Sequence, residues 1–134
     1  MRVSKIEQTV IIPASPEEVY EAFINAKIHS EVTGSKATCN PTVGGKFTAW
    51  DGYISGKNLK LEKGRRIVQE WKTTEWPADC PPSIVEFTFR KIEGGTELTM
   101  VHQKVPAEQA SSYEKGWIDS YWKPLRVYFQ KKGS

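Results

Sequence analysis

The spacing of apolar residues changes at Pro106, and this change limits the possible folds more than any other feature. Between residues 36 and 104 apolar and polar residues alternate, and turn-forming residues interrupt the alternation at short intervals. This pattern predicts an antiparallel meander. After Pro106 apolar residues recur at helical spacing as far as Gln130, which predicts one long helix. Because a sheet must bury its apolar face, we expect the helix to lie across the sheet.

The turn residues divide the first three quarters of the chain into strands. An opening strand is expected at residues 3–12, and it ends at Pro13. Asp51-Gly52 is expected to form a two-residue hairpin turn. The later strands are expected at residues 46–50, 53–62, 65–74, 83–91 and 96–104. The sequence therefore predicts a sheet of six or seven strands.

Two short helices are expected between the opening strand and the meander. Ser15 has the character of an N-cap, Pro16 suits the first helical position, and Glu18 completes a capping box. The second short helix is expected over residues 26–32, with Gly34 at its end.

The long C-terminal helix is expected to be strongly aromatic on one side. Pro124 lies inside it and removes one backbone hydrogen bond, which predicts a bend near Ser120. The order of elements indicates an α+β fold in which residues 1–134 form one domain. The residues of the apolar stripe are Tyr113, Trp117, Tyr121, Leu125 and Tyr128.

Composition excludes several classes of protein. No apolar run approaches the roughly 18–20 residues that cross a bilayer, and the first residues, MRVSK, lack the apolar region of a secretory signal, so we expect a cytoplasmic protein without membrane contact. We also expect a monomer. The net charge of +3 is too small for a nucleic-acid-binding domain. Cys39 and Cys80 match no zinc or disulfide pattern and are expected to be structural thiols. Since phosphate-loop and metal-site motifs are absent too, we expect no metal and no cofactor.

Basic residues concentrate in the middle of the chain. Residues 36–72 hold eight basic and three acidic side chains, most of them on one predicted hairpin. A solvated strand surface explains this pattern, and so does a surface that binds a partner. The candidate partner-binding residues are Lys57, Lys60, Arg65 and Arg66 of the hairpin and Trp76 of the loop that follows.

Two polar residues are predicted to face the space under the long helix. Gln69 lies between Ile67 and Trp71 on one strand face, and His102 has the same strand parity as Met100. An unpaired buried amide costs about 1–3 kcal/mol, so Gln69 needs a partner. Either the two residues bond each other in a filled core, or they orient a ligand in an apolar cavity. The candidate cavity residues are Phe47, Gln69, Trp71, Phe87, Phe89, His102, Trp117 and Tyr121.

Six short motifs carry a resemblance to a known family. They are residues 12–23 (IPASPEEVYEAF), 44–47 (GGKF), 51–56 (DGYISG), 67–72 (IVQEWK) and 95–98 (GTEL), and Gly116-Trp117 with Tyr121-Trp122. In this order they resemble the C-terminal-type domain of activators of the 90-kDa heat-shock chaperone ATPase, within the START-like or helix-grip superfamily. The resemblance implies a curved antiparallel sheet with one long helix across its concave face.

The resemblance also implies what such a chain binds. The activators imply a heat-shock chaperone as partner and a co-chaperone or stress-response role. The eukaryotic activators carry an additional N-terminal domain that makes much of the chaperone contact, and this chain resembles their C-terminal part alone. Elsewhere in the superfamily the grip encloses lipids, hormones or polyketide intermediates. By this analogy of fold, the alternative is a carrier or sensor of a small hydrophobic ligand.

Evidence for catalysis in the sequence is limited to two histidines. His29 lies in a polar stretch and is expected at the surface, whereas His102 is expected to point inward. A cyclase-like enzyme in which His102 or Tyr121 handles a proton is the least favoured function, because no acid or nucleophile accompanies them. We therefore expect a non-enzymatic binding protein without catalytic residues.

Overall fold

Seven strands form one antiparallel sheet in the computed structural model, which describes residues 2–132. They are β1 (Val3–Ile12), β2 (Thr38–Cys39), β3 (Lys46–Ala49), β4 (Ile54–Glu62), β5 (Arg66–Thr73), β6 (Ser83–Ile92) and β7 (Gly95–Pro106). Their order is β1-β7-β6-β5-β4-β3-β2, so β2 to β7 form a meander and β1 pairs with β7 at the far edge. The predicted α+β fold with six or seven antiparallel strands is confirmed.

Two helices, α1 (Pro16–Ile24) and α2 (Ala26–Thr33), lie between β1 and β2 as predicted. The capping box of α1 is complete: the Glu18 backbone N–H donates to Ser15 Oγ at 3.2 Å, and the Ser15 N–H donates to Glu18 Oε1 at 3.1 Å. Gly34 ends α2 in the left-handed conformation, at a φ of 76° that a glycine adopts without strain.

The C-terminal helix follows a single 3-10 turn at Ala107–Gln109 and consists of three parts. These are α3 (Ala110–Trp117), a π-helical turn (Ile118–Trp122) and α4 (Lys123–Lys132). The irregularity expected near Ser120 therefore takes the form of a widened turn. None of the helices within residues 2–132 is long and apolar enough to cross a membrane.

The C-terminal helix packs against the inward face of the sheet, as predicted. Trp117 lies at the centre of the contact between the helix and the sheet. The centroid of its ring is 5.6 Å from the ring centroids of both Trp71 and Phe87. Alternate residues of the central strands face it and are buried. These are Ile67, Gln69, Trp71 and Thr73 of β5, Val85, Phe87 and Phe89 of β6, and Leu98, Met100 and His102 of β7.

The connection between β3 and β4 differs from the predicted two-residue turn. Ala49 pairs with Ile54, which leaves a loop of residues 50–53, and Trp50 and Asp51 both adopt positive φ. The loop is wider because its two aromatic ends make tertiary contacts. Trp50 packs edge-on against Tyr121, and the Tyr53 hydroxyl donates to Glu75.

Candidate functional site

The space predicted to hold a ligand is almost filled by side chains. A void of about 10 Å³ remains there, which is at most the size of one water molecule. Six of the eight candidate cavity residues line it, whereas Phe89 and His102 do not. Its lining consists of Phe23, His29, Phe47, Gln69, Trp71, Phe87, Trp117 and Tyr121.

The two inward polar residues do not bond each other. Gln69 Nε2 donates instead to Oδ1 of Asn58, which faces it across the β4–β5 pair, at 2.9 Å. Asn58 Nδ2 in turn donates to the backbone carbonyl oxygens of Asn40, at 3.0 Å, and Thr42, at 3.2 Å. The Gln69 amide thus has a partner within the fold and helps to hold the chain segment that precedes β3.

His102 is held from both sides of its ring. The Trp117 indole N–H donates to His102 Nδ1 at 3.2 Å, so the imidazole proton is on Nε2, which lies 2.7 Å from Ser83 Oγ. Ser83 Oγ donates its own proton to the Trp71 carbonyl oxygen at 2.6 Å. Burial lowers the pKa of His102 to about 3. The ring is therefore neutral near pH 7, and both of its nitrogens are occupied.

His29 is buried, so the expectation that it lies at the surface is wrong. Its Nε2 lies 2.9 Å from the Tyr121 hydroxyl, and its Nδ1 lies 3.4 Å from the Phe23 carbonyl oxygen. Burial lowers the pKa of His29 and raises the pKa of the Tyr121 phenol. The physical reason is the orientation of α2, which turns His29 and Val32 inward. Their spacing of three residues on one helix face was the available signal.

A larger cavity opens between the C-terminal helix and the loop that joins β3 to β4. Its volume is about 520 Å³, and one side reaches solvent. Trp71, Trp117 and Tyr121 of the predicted set line both this open cavity and the small void, so they separate the two spaces. The other lining residues are Trp50, Tyr53, Ile54, Glu75, Glu108, Gln109, Ser112, Tyr113, Gly116 and Ser120.

The open cavity exists because the helix presents small residues to it. Ser112, Gly116 and Ser120 follow one another at intervals of four, each one position before an aromatic residue of the buried stripe. Apart from its chain neighbours and the backbone of its own helix, a β-carbon built on Gly116 would have no heavy atom within 4 Å. This cavity was not predicted from the sequence. The stripe of small residues beside the aromatic stripe was the signal that could have indicated it.

A hydrogen-bonded network forms the polar end of the open cavity. The Tyr53 hydroxyl donates to the Glu75 carboxylate, and Gln109 Nε2 donates to the Glu75 carbonyl oxygen at 2.8 Å. The Tyr113 hydroxyl donates to Gln109 Oε1 at 2.8 Å and lies 2.7 Å from Thr73 Oγ1. Burial, followed by the bond to Glu75, raises the pKa of Tyr53 to about 12. Both charged residues that line this cavity in the described chain, Glu75 and Glu108, are acidic.

The basic residues predicted to bind a partner lie on the hairpin of β4 and β5. Lys57, Lys60 and Arg65 are exposed, and Lys57 Nζ lies 4.0 Å from the Glu70 carboxylate. Arg66 is half-buried between two carboxylates, those of Glu62 and Glu86. Its charge is therefore largely compensated.

Trp76 lies far from two of the basic residues, Arg65 and Arg66. It follows the other end of β5, and a strand of this length spans about 25 Å. Its ring packs against Tyr113 at 5.9 Å between centroids, and its indole N–H donates to the Pro81 carbonyl oxygen at 2.9 Å. The side chain is half-buried, so it helps to support the wall of the open cavity.

The thiols and the acidic side chains do not form a metal site in residues 2–132. No group of three or more His, Cys, Asp or Glu side chains is placed to hold an ion there. Cys39 and Cys80 are both half-buried and free.

Comparison with known proteins identifies one family. The family model described as activator of Hsp90 ATPase homolog 1-like protein matches residues 13–130. The human protein named activator of 90 kDa heat shock protein ATPase homolog 1 is 32% identical over 115 residues, which are 86% of this chain and 34% of that protein. The chain thus spans about a third of the length of this curated relative.

Solved structures share the fold over nearly the whole chain. The crystal structure of an HSP90 activator from Plasmodium falciparum matches with a TM-score of 0.87 at 27% identity, over 94% of this chain and 96% of that one. A protein from Mesorhizobium loti matches with a TM-score of 0.76 at 23% identity, over 97% of this chain and 98% of that one, which shows a shared fold.

Proposed function

The chain belongs to the family of activator of Hsp90 ATPase homolog 1-like proteins, and on this premise we propose that it is a cytoplasmic, non-enzymatic protein that binds a heat-shock chaperone of the 90-kDa class. The match of residues 13–130 to the family carries the proposal. The chain spans about a third of the length of its human relative. We therefore treat two claims separately: that this chain binds the chaperone, and that this chain alone stimulates the chaperone ATPase.

The basic hairpin is the surface that we propose for this contact. Within residues 2–132, Lys60 and Arg65 form no ion pair, so both charges are free to meet a partner. Unpaired surface charges speed association with an oppositely charged surface and favour one orientation of the partner. We therefore propose an acidic patch on the chaperone as the contact, with Lys57 and Arg66 contributing less because carboxylates already face them.

The chemistry of the buried groups supports binding rather than catalysis. A general acid or base is most effective when its pKa lies near the working pH. His102, with a pKa of about 3, does not take up a proton near neutrality, and its two nitrogens bond Trp117 and Ser83. The Tyr121 hydroxyl is buried against His29, and its pKa is raised. Neither group is placed to exchange a proton with a bound molecule.

A titration of the ¹⁵N-labelled chain with a 90-kDa heat-shock chaperone tests the proposal, with the chaperone ATPase rate measured on the same samples. We expect shifts on the β4–β5 hairpin, and roughly tenfold weaker binding after the double substitution Lys60→Glu and Arg65→Glu. The control is Lys27→Glu with Lys115→Glu, which changes the net charge equally at two exposed residues elsewhere. Absence of shifts, or an equal loss in the control, would reject the proposal. Light scattering of the free chain checks the monomer prediction.

We propose carriage of a small, mostly apolar ligand as the second candidate function. The observation that favours it is the open cavity of about 520 Å³, a volume within the usual range of small-molecule sites. The ligand would enter beside the β3–β4 loop, because the space under the centre of the helix is filled. Of the predicted set, Trp71, Trp117 and Tyr121 would contact it.

A further inference from the structure

We propose that the open cavity selects a small organic cation, in which an ammonium group is joined to an aromatic or aliphatic body. This inference rests on the second candidate function, and it adds the sign of the ligand's charge and its orientation. It is drawn from the distribution of aromatic rings and carboxylates around the cavity.

The inner walls of the cavity suit the apolar body of such a ligand. Ile54, Trp71 and Trp117 line it, and Gly116 leaves open space in which a ring can lie. An aromatic or aliphatic group placed there removes apolar surface from water on both sides of the contact. The inner end by itself does not distinguish a neutral ligand from a charged one.

The outer end supplies the preference for positive charge. Both lining residues that carry a formal charge in the described chain are acidic, Glu75 and Glu108, and both are exposed at the rim. An anionic ligand would meet like charges at this rim, whereas a cation would meet opposite charges. Burial raises the pKa values of Tyr53 and Tyr113, and the Glu75 carboxylate adds to both shifts, so its charge acts on the groups that line the cavity.

Aromatic rings stand beside these carboxylates. Tyr53 and Tyr113 line the same end as Glu75 and are tied to it by hydrogen bonds, directly and through Gln109. The face of an aromatic ring attracts an ammonium group through its quadrupole. Rings and carboxylates therefore favour the same charge at the same place, and the ammonium group is expected to lie between Tyr53, Tyr113 and the two carboxylates.

The test uses three probes with the same naphthyl body: 1-naphthylmethylammonium, 1-naphthylmethanol and 1-naphthaleneacetate. Binding is followed by the indole N–H signals of Trp50, Trp71 and Trp117, which line the cavity. Trp122 is outside the cavity and its indole donates to Gln8 Oε1, but its ring stacks on Trp117, so its signal is expected to shift less than the other three. We expect the ammonium probe to bind about fivefold more tightly than the alcohol, and the carboxylate to bind most weakly.

Substitution of the two glutamates tests whether their carboxylates cause the preference for the ammonium probe. Glu75→Gln with Glu108→Gln should weaken binding of the ammonium probe by about fivefold to tenfold and leave binding of the alcohol unchanged. Glu114→Gln, at an exposed position of α3 outside the cavity, is the control and should change the binding of neither probe. If Glu75→Gln disturbs folding through its bond to Tyr53, Glu108→Gln alone should still give a loss specific to the ammonium probe.

The outcomes separate this inference from the function on which it rests. If the alcohol binds as tightly as the ammonium probe, or if the double variant weakens both equally, the charge preference is overturned while ligand carriage stands. If none of the probes shifts the three indole signals, both fail. Gly116→Leu should place a side chain inside the cavity and weaken the binding of every probe that binds there, whereas Ser111→Leu on the exposed side of the helix should not.

Discussion

The C-terminal helix covers two spaces that differ about fiftyfold in volume. Under its centre the side chains of Trp117 and Tyr121 leave a void of about 10 Å³, whereas beside the β3–β4 loop the same helix borders a cavity of about 520 Å³. The difference arises from adjacent positions of one helix. Successive residues point about 100° apart, so the aromatic stripe fills the groove while the neighbouring stripe of small residues leaves the cavity open.

The two regions also differ in how their polar groups are satisfied. In the filled region Gln69 and His102 bond other parts of the fold, so removal of a partner destabilises the protein. In the open region the carboxylates of Glu75 and Glu108 are exposed, so a ligand can reach them. The filled region is therefore expected to determine stability, and the open region to determine binding.

Removal of the Trp117 side chain from the filled region should have the largest effect on stability. Trp117→Ala is expected to lower the free energy of unfolding by about 3–5 kcal/mol, because it leaves a cavity among Trp71, Phe87 and Tyr121. Urea unfolding measures this loss. Ile118→Ala, which changes an exposed residue one position further, is the control and should cost less than about 0.5 kcal/mol. A loss of less than about 1 kcal/mol for Trp117→Ala would contradict its central role.

The lowered pKa of His102 makes stability depend on pH. As pH falls from about 6.5 towards 3, the unfolded chain binds a proton that the folded chain does not, so the free energy of unfolding decreases. One such group contributes up to about 1.4 kcal/mol per pH unit. His102→Leu should cost about 1–3 kcal/mol at pH 7 through unpaired Ser83 and Trp117 groups, and should remove this part of the pH dependence.

Unfolding curves of both proteins between pH 4 and pH 7 check this prediction. His29 and the carboxylates are present in both, so the difference between the two slopes belongs to His102. Equal slopes would show that His102 takes up a proton as readily in the folded protein as in the unfolded chain, contrary to the lowered pKa that its burial causes.

The smallest effect on stability is expected for a substitution that faces the open cavity. Gly116→Ala should raise the free energy of unfolding by about 0.5–1 kcal/mol, because alanine favours a helix and its methyl group meets no neighbour. Gly56→Ala is the contrasting variant and should destabilise the protein, since its β-carbon would lie 1.8 Å from the Glu70 carbonyl oxygen. Thermal unfolding compares the two. Destabilisation by Gly116→Ala would indicate that the cavity is closed beside the helix.

The sequence predicted most of the fold because residue periodicity reports directly on burial. Alternation of Ile67, Gln69 and Trp71 identified the inward face of β5, and Trp117 was correctly placed opposite it. The helix caps at Ser15 and Gly34 followed from local backbone chemistry. These features depend on residues that are close together in the sequence, so they can be recognised from one sequence alone.

The details of the site depend on contacts between residues that are distant in the sequence, and these contacts could not be predicted from the sequence. A bulge between Asn58 and Lys60 shifts the register of β4 by one residue, and this shift brings Asn58 opposite Gln69. An unbulged ladder would place Leu59 there instead. The Asp-Gly turn signal was overridden by the contacts of Trp50 and Tyr53, and these contacts create the mouth of the open cavity.

A crystal structure under xenon pressure tests the central contrast most directly, because xenon enters apolar cavities that have room for it. We predict xenon in the open cavity beside Ile54, Trp117 and Gly116, and none in the void among Phe23, Phe47 and Phe87. Xenon in that void, with the open cavity unoccupied, would contradict this contrast and would place the ligand site under the centre of the C-terminal helix.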